Sequence, residues 1–537
     1  MTPEELAALP EYVRVLLRPE AYPHRPSEVT LVQTHLSYVF LAGDLVYKTK
    51  KPVDFGFVQQ LDLATRERFC RNEVTLNRRL APDVYLDVAA VVRRSDGSTA
   101  VDVPPSEGEV VEWAVKMRRL PEGATLDVLV REGRAPYDIA GRLVARLVPF
   151  HEAARRVTPD PAFAGAAGVR SWWTRESGEV AGFVGSTWRA EDADALRAFV
   201  AETLDREGAV FDERLAAERV VEGHGDLQAK HVYVLGPRVA DIVIVDCIEF
   251  SEWFQFRYQD VGYDLAFLAM DLEAQGDRTL ADELVGRYLA STQDETLPLL
   301  QPLHRAFRAF VRGKVESIGA HASEVPAEQR AALAESAARY FRLASSYAER
   351  RAAPCLVVLC GPSGTGKSTI GGALASRIGA AMISSDAVRK RLAGLDPHTR
   401  VPESYRAGLY APEVTQRTYE EMGRRAAAHL ATGHPVVLDA THSRAEDRAA
   451  AIDVARAAGV PARRVALTLS DDAALARIEQ RQAGTLTTSD ATPEVYRRQV
   501  EQFEPPRPSE GRLLTVDAAD NVSALVERIA EGLPVRR

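Results

Sequence analysis

The chain has 537 residues, 46% hydrophobic and 27% charged, with a formal net charge of −9. That length allows about three or four folding units with buried cores, and the acidic balance argues against a broad surface for nucleic acid. No apolar stretch approaches the ~18 residues of a membrane span, the start Met1-Thr-Pro-Glu-Glu lacks the make-up of a signal peptide, and four cysteines without C-x-x-C spacing read as buried thiols of a reducing, cytoplasmic compartment.

In chain order, residues 1–30 are rich in Pro and Glu and read as irregular chain or short helix. Residues 34–40 and 45–51 carry the β-branched and aromatic side chains of strands, with Gly43-Asp44 as a hairpin turn between them. The second strand holds Lys48, Lys50 and Lys51. A helix follows over 63–80 with Glu73 in its middle, then strands over 84–93 and 110–117 that end in a hinge, Arg118-Arg119-Leu120-Pro121-Glu122-Gly123. Helical patterns fill 124–220, including 137–153. The character changes at Glu222-Gly-His-Gly-Asp-Leu-Gln-Ala-Lys-His231, which leads through 232–235 and a turn to a strand over 242–246, and helices resume over 260–349.

Strands with one helix, a hinge, helices, an irregular loop and a short hairpin follow one another as in a protein-kinase-like fold. His224-x-Asp226-x-x-x-x-His231, Val245-Asp246 and Asp260-x-x-x-Asp264-Leu-Ala resemble the aminoglycoside phosphotransferase family over roughly 25–345, in a branch fused to P-loop kinases. The resemblance implies that Lys48 grips the α/β-phosphates of ATP, that Glu73 is its helix partner, that Asp226 accepts the acceptor hydroxyl proton, and that Asp246 holds Mg²⁺ with the residue at 231. The family usually has Asn where this chain has His231, and imidazole nitrogen is a softer, poorer ligand for Mg²⁺ than an amide oxygen. A glycine-rich loop is also missing, so Gln33-Thr-His-Leu-Ser37 would have to cover the phosphates. Other readings are a structural turn around His224 and Asp226, and a degenerate half that binds without catalysis.

Pro354 stops the last of these helices before an apolar run, Cys355-Leu-Val-Val-Leu-Cys360, and Gly361-Pro-Ser-Gly-Thr-Gly-Lys-Ser-Thr369 follows. A buried strand, a glycine-rich turn and a helix over 370–378 are the context of a phosphate-binding loop. Gly361, Gly364 and Gly366 let the backbone curl so that the N–H groups of Ser363, Thr365 and their neighbours through Thr369 point at one centre. Lys367, expected to face solvent, reaches the β- and γ-phosphates, and the Ser368 hydroxyl suits Mg²⁺.

The strand over 381–385 ends in Asp386, with Arg389 one turn later. At the carboxyl end of a strand, Asp386 can deprotonate an acceptor hydroxyl and Arg389 can hold an anionic group, or Asp386 is simply a helix cap. Asp439 ends the strand begun at Val436 and suits Mg²⁺, while Ala440 stands where motor ATPases carry a water-activating Glu. After a strand over 465–470, Arg477 and Arg481 fall at i, i+4 on a helix over 473–482, as a lid over transferring phosphates or as a solvated basic face. Asp490 or Thr492 stands near the cap of one more helix.

These motifs resemble the P-loop kinase branch of polynucleotide 5′-kinase, zeta toxin, chloramphenicol phosphotransferase and gluconate kinase over about 355–535. No Asn-Lys-x-Asp guanine-reading motif is present, so ATP is the expected nucleotide.

The expectation is an α/β and α+β multidomain chain: a bilobal kinase-like fold with lobes at 1–120 and 121–348, a linker at 349–354, and a three-layer α/β P-loop kinase with a parallel sheet at 355–537. Its expected activity is ATP- and Mg²⁺-dependent phosphorylation of small-molecule hydroxyls at two sites. Alternatives are a P-loop kinase acting on nucleic-acid or nucleotide ends, and a degenerate kinase-like sensor regulating one active P-loop kinase. The sequence names neither the acceptor nor the oligomeric state.

Overall fold

The computed structural model describes residues 6–56, 58–156, 164–250, 257–323, 325–396, 399, 401, 408–483 and 490–536, without the side chains of 481–483. The chain divides into two compact units, one of 1–135, 153–157 and 220–259, the other of 136–152, 158–219 and 260–537.

In the first unit, β1 (Val29–Gln33), β2 (Ser37–Ala42), β3 (Leu45–Lys50), β4 (Tyr85–Arg94), β5 (Thr99–Val101) and β6 (Gly108–Arg118) form a six-stranded sheet in the order β1-β2-β3-β6-β4-β5. Neighbours run antiparallel. The expected Gly43-Asp44 turn closes β2 onto β3, with Ala42 opposite Leu45 and Gly43 at φ 65°. Residues 34–36, expected as strand, instead turn between β1 and β2, where Thr34 Oγ1 accepts the Ser37 N–H at 3.0 Å. β1 itself was not expected: Val29 and Leu31 pack partly buried against the core, but the alternation is short and Val32 puts an apolar side chain on the exposed side.

Alternation along β3 sends Tyr47 to one face and Lys48 and Lys50 to the other. Tyr47 packs with Val13, Leu16, Phe40 and Ala114. The opposite face receives α1 (Leu63–Asn77), whose N-terminus is capped by Asp62 accepting the Thr65 N–H at 2.8 Å. Cys70 and Val74 of α1 join Tyr85, Val115 and Val245 in one cluster, and Glu73 lies on that inner side, fully buried. β7 (Val220–Glu222) pairs with β10 (Tyr258–Asp260), and between them the expected hairpin forms from β8 (Val232–Val234) and β9 (Ile242–Ile244).

The second unit contains α2 (Ile139–Ala153), α3 (Ala166–Glu179), α4 (Ala190–Ala216), α5 (Val261–Ala274), α6 (Arg278–Thr292), α7 (Leu297–His321) and α8 (Ala327–Glu349). It continues through β11 (Leu356–Cys360), α9 (Lys367–Ile378), β12 (Ala381–Ser384), α10 (Ser385–Leu392), α11 (Pro412–Ala431), β13 (Val436–Asp439), α12 (Ala445–Ala457), β14 (Ala462–Thr468), α13 (Asp471–Ala483), α14 (Pro493–Gln502), β15 (Leu513–Asp517) and α15 (Val522–Ala530). The five strands lie in the order β12-β13-β11-β14-β15, all neighbours parallel. Both faces are covered, as a parallel sheet requires. Leu374 of α9 and Val526 of α15 pack on Val357, Leu359 and Val465, while Met422 of α11 and Ala455 of α12 pack on Leu356, Val358 and Leu438. This is the expected three-layer arrangement.

The segment 349–354 is tied down: Ala352 donates to the Ile378 carbonyl at 3.1 Å, and the Arg351 guanidinium meets Glu202 at 2.8 Å.

Candidate active sites

Parallel register aligns the carboxyl ends of three strands in the second unit, pairing Leu359 and Ser384 with Asp439. The loop after β11 therefore curls beside Asp439. Its glycines are required by space and by backbone: Gly364 and Gly366 sit at φ 82° and 84°. A Cβ on Gly361 or Gly364 would lie 2.6 or 2.8 Å from the Leu467 or Ala474 carbonyl oxygen. Ser368, in the first turn of α9, donates its hydroxyl to Asp439 Oδ2 at 2.6 Å. Burial raises the Asp439 carboxyl above the usual range, Lys367 and the Ser368 hydroxyl oppose that, and the Asp386 charge adds to it. Asp386, Asp439 and Lys367 thus share one electrostatic site.

Lys367 corrects an expectation. It is buried rather than solvent-facing, and its ammonium donates to the Pro362 carbonyl at 2.7 Å because its stem crosses the loop it belongs to. Arg477 lies against the loop, its Nη1 3.3 Å from where a Cβ on Gly366 would be, and its Nη2 donates to the Ala518 carbonyl at 2.9 Å. The side chain of Arg481 lies outside the described residues. Gln499 of α14, which sequence reasoning missed, accepts the Ser363 N–H at 2.8 Å.

Asp386 is in the first turn of α10, whose N-cap is Ser384. Capping therefore is not its role. Its Oδ1 accepts from Arg389 Nη1 at 3.0 Å, and the Arg389 guanidinium lies 4.6 Å from the Tyr410 ring centre. Arg389 is buried, and its Nε has no hydrogen-bond partner among the described residues. Thr492 caps α14, whereas Asp490 is buried on Lys390 Nζ at 3.1 Å and accepts from the Tyr410 hydroxyl at 2.9 Å. Lys390 and Tyr410 had no sequence signal, since their partner is far along the chain.

In the first unit the structure brings together Lys48, Glu73, Asp226, His231 and Asp246. Lys48 Nζ lies 2.9 Å from both Glu73 Oε1 and Asp246 Oδ1. Burial opposes a charge on Lys48, but Asp246 and Glu73 outweigh it and hold the ammonium well above its ordinary value. The Asp246 carboxyl is pushed up by burial and pulled further down by Lys48 and His231, ending far below the usual range. Asp246 is left-handed at φ 69°, its N–H donating to the Tyr85 hydroxyl at 3.1 Å. Lys50, read only as part of a lysine cluster, is buried between Glu73 and Glu249. His224 donates from Nε2 to the Val245 carbonyl at 2.9 Å and accepts the Asp226 N–H on Nδ1 at 3.2 Å. Gln228 Nε2 donates to Asp226 Oδ1 at 2.7 Å.

Residues 356–506 match the AAA domain family. The chain is 31% identical over 419 residues to the uncharacterized protein Rv2004c of Mycobacterium tuberculosis (strain ATCC 25618 / H37Rv), spanning 78% of this chain and 79% of that one. The uncharacterized protein Mb2027c of Mycobacterium bovis (strain ATCC BAA-935 / AF2122/97) matches equally, at 31%. The chain belongs to their family.

Among solved structures, a gluconokinase from Sinorhizobium meliloti 1021 is 25% identical and covers 34% of this chain and 96% of its own, with a TM-score of 0.25. A choline/ethanolamine kinase family protein from Mesorhizobium loti is 15% identical and covers 64% of this chain and 97% of its own, with a TM-score of 0.35. These likenesses add no weight to the geometry above. The chain carries a six-stranded antiparallel sheet in its first unit and, at 356–506, a P-loop-bearing AAA domain. Among the described residues, no helix is long and apolar enough to cross a membrane.

Proposed function

We propose that the chain is an ATP-dependent phosphotransferase with two separate nucleotide sites, each passing the γ-phosphoryl group to a hydroxyl of a small molecule such as a sugar, aminocyclitol or nucleoside. The observation that carries this reading is the Ser368–Asp439 contact of 2.6 Å beside the phosphate loop, with the Asp386 charge felt at Asp439.

At the P-loop, Asp386 takes the acceptor hydroxyl proton while the acceptor oxygen bonds to the γ-phosphorus and the bond to the ADP oxygen breaks. Lys367, released from its own loop carbonyl, and Arg477 meet the charge on the phosphates, and Arg389 offers its remaining donors to an anionic group of the acceptor. The Ser368 hydroxyl and Asp439 carboxylate are hard oxygens that fit Mg²⁺ and would hold it. Bound there, that ion would neutralise phosphate charge.

In the first unit, Lys48, fixed between Glu73 and Asp246, binds the α/β-phosphates, and Asp226 accepts the proton of a second acceptor. The pair His231 and Asp246 fits Mg²⁺ less well, because one donor is nitrogen.

The test is a metabolite-library screen with γ-labelled ATP on the full chain and on its Lys367→Ala and Asp226→Asn variants. Each substitution is expected to remove a different product. Identical product profiles from Asp226→Asn and wild type would refute two active sites and favour a degenerate, regulatory first unit.

A further inference from the structure

The nitrogen donor in the first unit has a defined direction. His231 Nδ1 lies 2.8 Å from the Asp226 carbonyl oxygen. A carbonyl only accepts, so Nδ1 carries a proton and donates it. Nε2 then faces Asp246 Oδ2 at 3.6 Å. The other Asp246 oxygen is held by Lys48 at 2.9 Å, so Oδ2 is the one left for a further partner.

The ring of His231 is also backed by that of His224, with centroids 6.3 Å apart and planes 19° from parallel. A carbonyl on the far nitrogen is how proteins fix the tautomer of a metal-binding imidazole. Nε2 and Oδ2 stand 3.6 Å apart, too far for a direct hydrogen bond and close enough for both to reach one cation between them.

We propose that His231 Nε2 and Asp246 Oδ2 are joint ligands of the divalent ion in the first unit, and that the nitrogen makes this site select a first-row transition ion over Mg²⁺. This rests on the reading of the unit as a nucleotide site. Imidazole binds such ions in preference to Mg²⁺, which favours oxygen and gives up water reluctantly. Among the described residues no group of three or more His, Cys, Asp or Glu side chains could hold a metal. Two protein ligands are too few for tight binding alone, so the remaining ligands come from nucleotide phosphates and water. Metal retention then requires nucleotide.

The probe is Mn²⁺ with the β,γ-methylene analogue of ATP, bound to the full chain carrying Lys367→Ala and Ser368→Ala to silence the P-loop site. Pulsed electron paramagnetic resonance is expected to show ¹⁴N coupling from a directly bound imidazole, lost in His231→Asn. Competition is expected to show Mn²⁺ preferred over Mg²⁺, with His231→Asn reducing that preference by ~10–100-fold. Mn²⁺ bound with the analogue but without ¹⁴N coupling overturns the proposal and leaves the nucleotide site standing. Coupling that persists in His231→Asn also overturns it. Failure to retain Mn²⁺ with the analogue overturns the proposal and the nucleotide-site reading together.

Discussion

Asp386 faces two demands, a cation beside it and a proton to accept. Its Arg389 partner holds one oxygen at 3.0 Å, which aims the carboxylate and leaves the second oxygen for an acceptor hydroxyl. Asp386→Asn keeps that shape and removes the basic oxygen. Turnover at the P-loop should fall by ~10²–10⁴, the usual worth of a positioned base. Nucleotide affinity should stay within a few-fold, and because Ser384 holds the cap position, the melting temperature should barely move. Single-turnover kinetics with a parallel melt decide this: lost stability with unchanged turnover per folded molecule would remove the base role. Lys367 needs a different substitution. It is buried, so Lys367→Met, which fills similar space, separates charge from packing better than Lys367→Ala. Lys367→Met should abolish P-loop turnover with the fold retained, as read by circular dichroism and product assay; near-normal turnover would withdraw the assignment of the loop.

The loop joining β13 to α12 shows how an element holds a site in place. His442 sits at φ 41°, donates from Nδ1 to the Leu359 carbonyl at 2.7 Å, and stacks on Tyr419 at 5.2 Å. It ties the end of the Asp439 strand to the strand that launches the phosphate loop. Burial pushes its pKa down to about 4. Below its ordinary value of about 6.5 the unfolded chain takes up a proton that the folded chain refuses. The stability it supports is therefore complete above pH ~6.5 and is lost as the pH falls toward ~4, by roughly 3 kcal/mol in all. His442→Asn, which tolerates the left-handed backbone and does not titrate, should flatten that part of the pH–stability curve in urea melts between pH 7 and 4.5. Parallel curves for the two proteins would show that the ring titrates normally. The sequence displayed Asp439 because a run of apolar residues ending in Asp is a local pattern. It could not display the roles of His442, Gln499 or Asp490, whose partners are distant in the chain. Lys50 was legible in principle: period two puts it on the face of Lys48, yet three lysines in four residues look like a solvated cluster. β1 was hidden because its alternation is short: Val29 and Leu31 face the core, but Val32 is apolar on the exposed side.

At the scale of the molecule, the helices of 260–349 share one compact unit with the P-loop domain. Met382 of β12 donates to the Glu295 carbonyl at 3.2 Å, and the Glu295 side chain meets Arg425 at 3.0 Å and His429 at 3.1 Å. Glu207 of α4 reaches His434 at 2.7 Å, both of them buried. The tightest junction is between α6 and α9, which approach glycine to glycine. A Cβ on Gly286 would stand 2.1 Å from the Thr369 carbonyl oxygen, and one on Gly372 would stand 3.0 Å from the Gly286 oxygen. A glycine inside a helix normally weakens it, so its presence in α6 is explained by the backbone it must admit. Thr369 lies two residues beyond Lys367, so the first turn of the phosphate-loop helix rests on a helix of the preceding helical region. Gly286→Ala should force the two apart, at a cost of ~1–3 kcal/mol by overpacking. Because the strain enters at Thr369, ATP affinity at the P-loop should weaken as well, and the helices and the P-loop domain should melt together at a lower temperature. Calorimetry and nucleotide titration of the full chain read both effects. An unchanged melt with unchanged affinity would mean that α6 does not brace the phosphate loop.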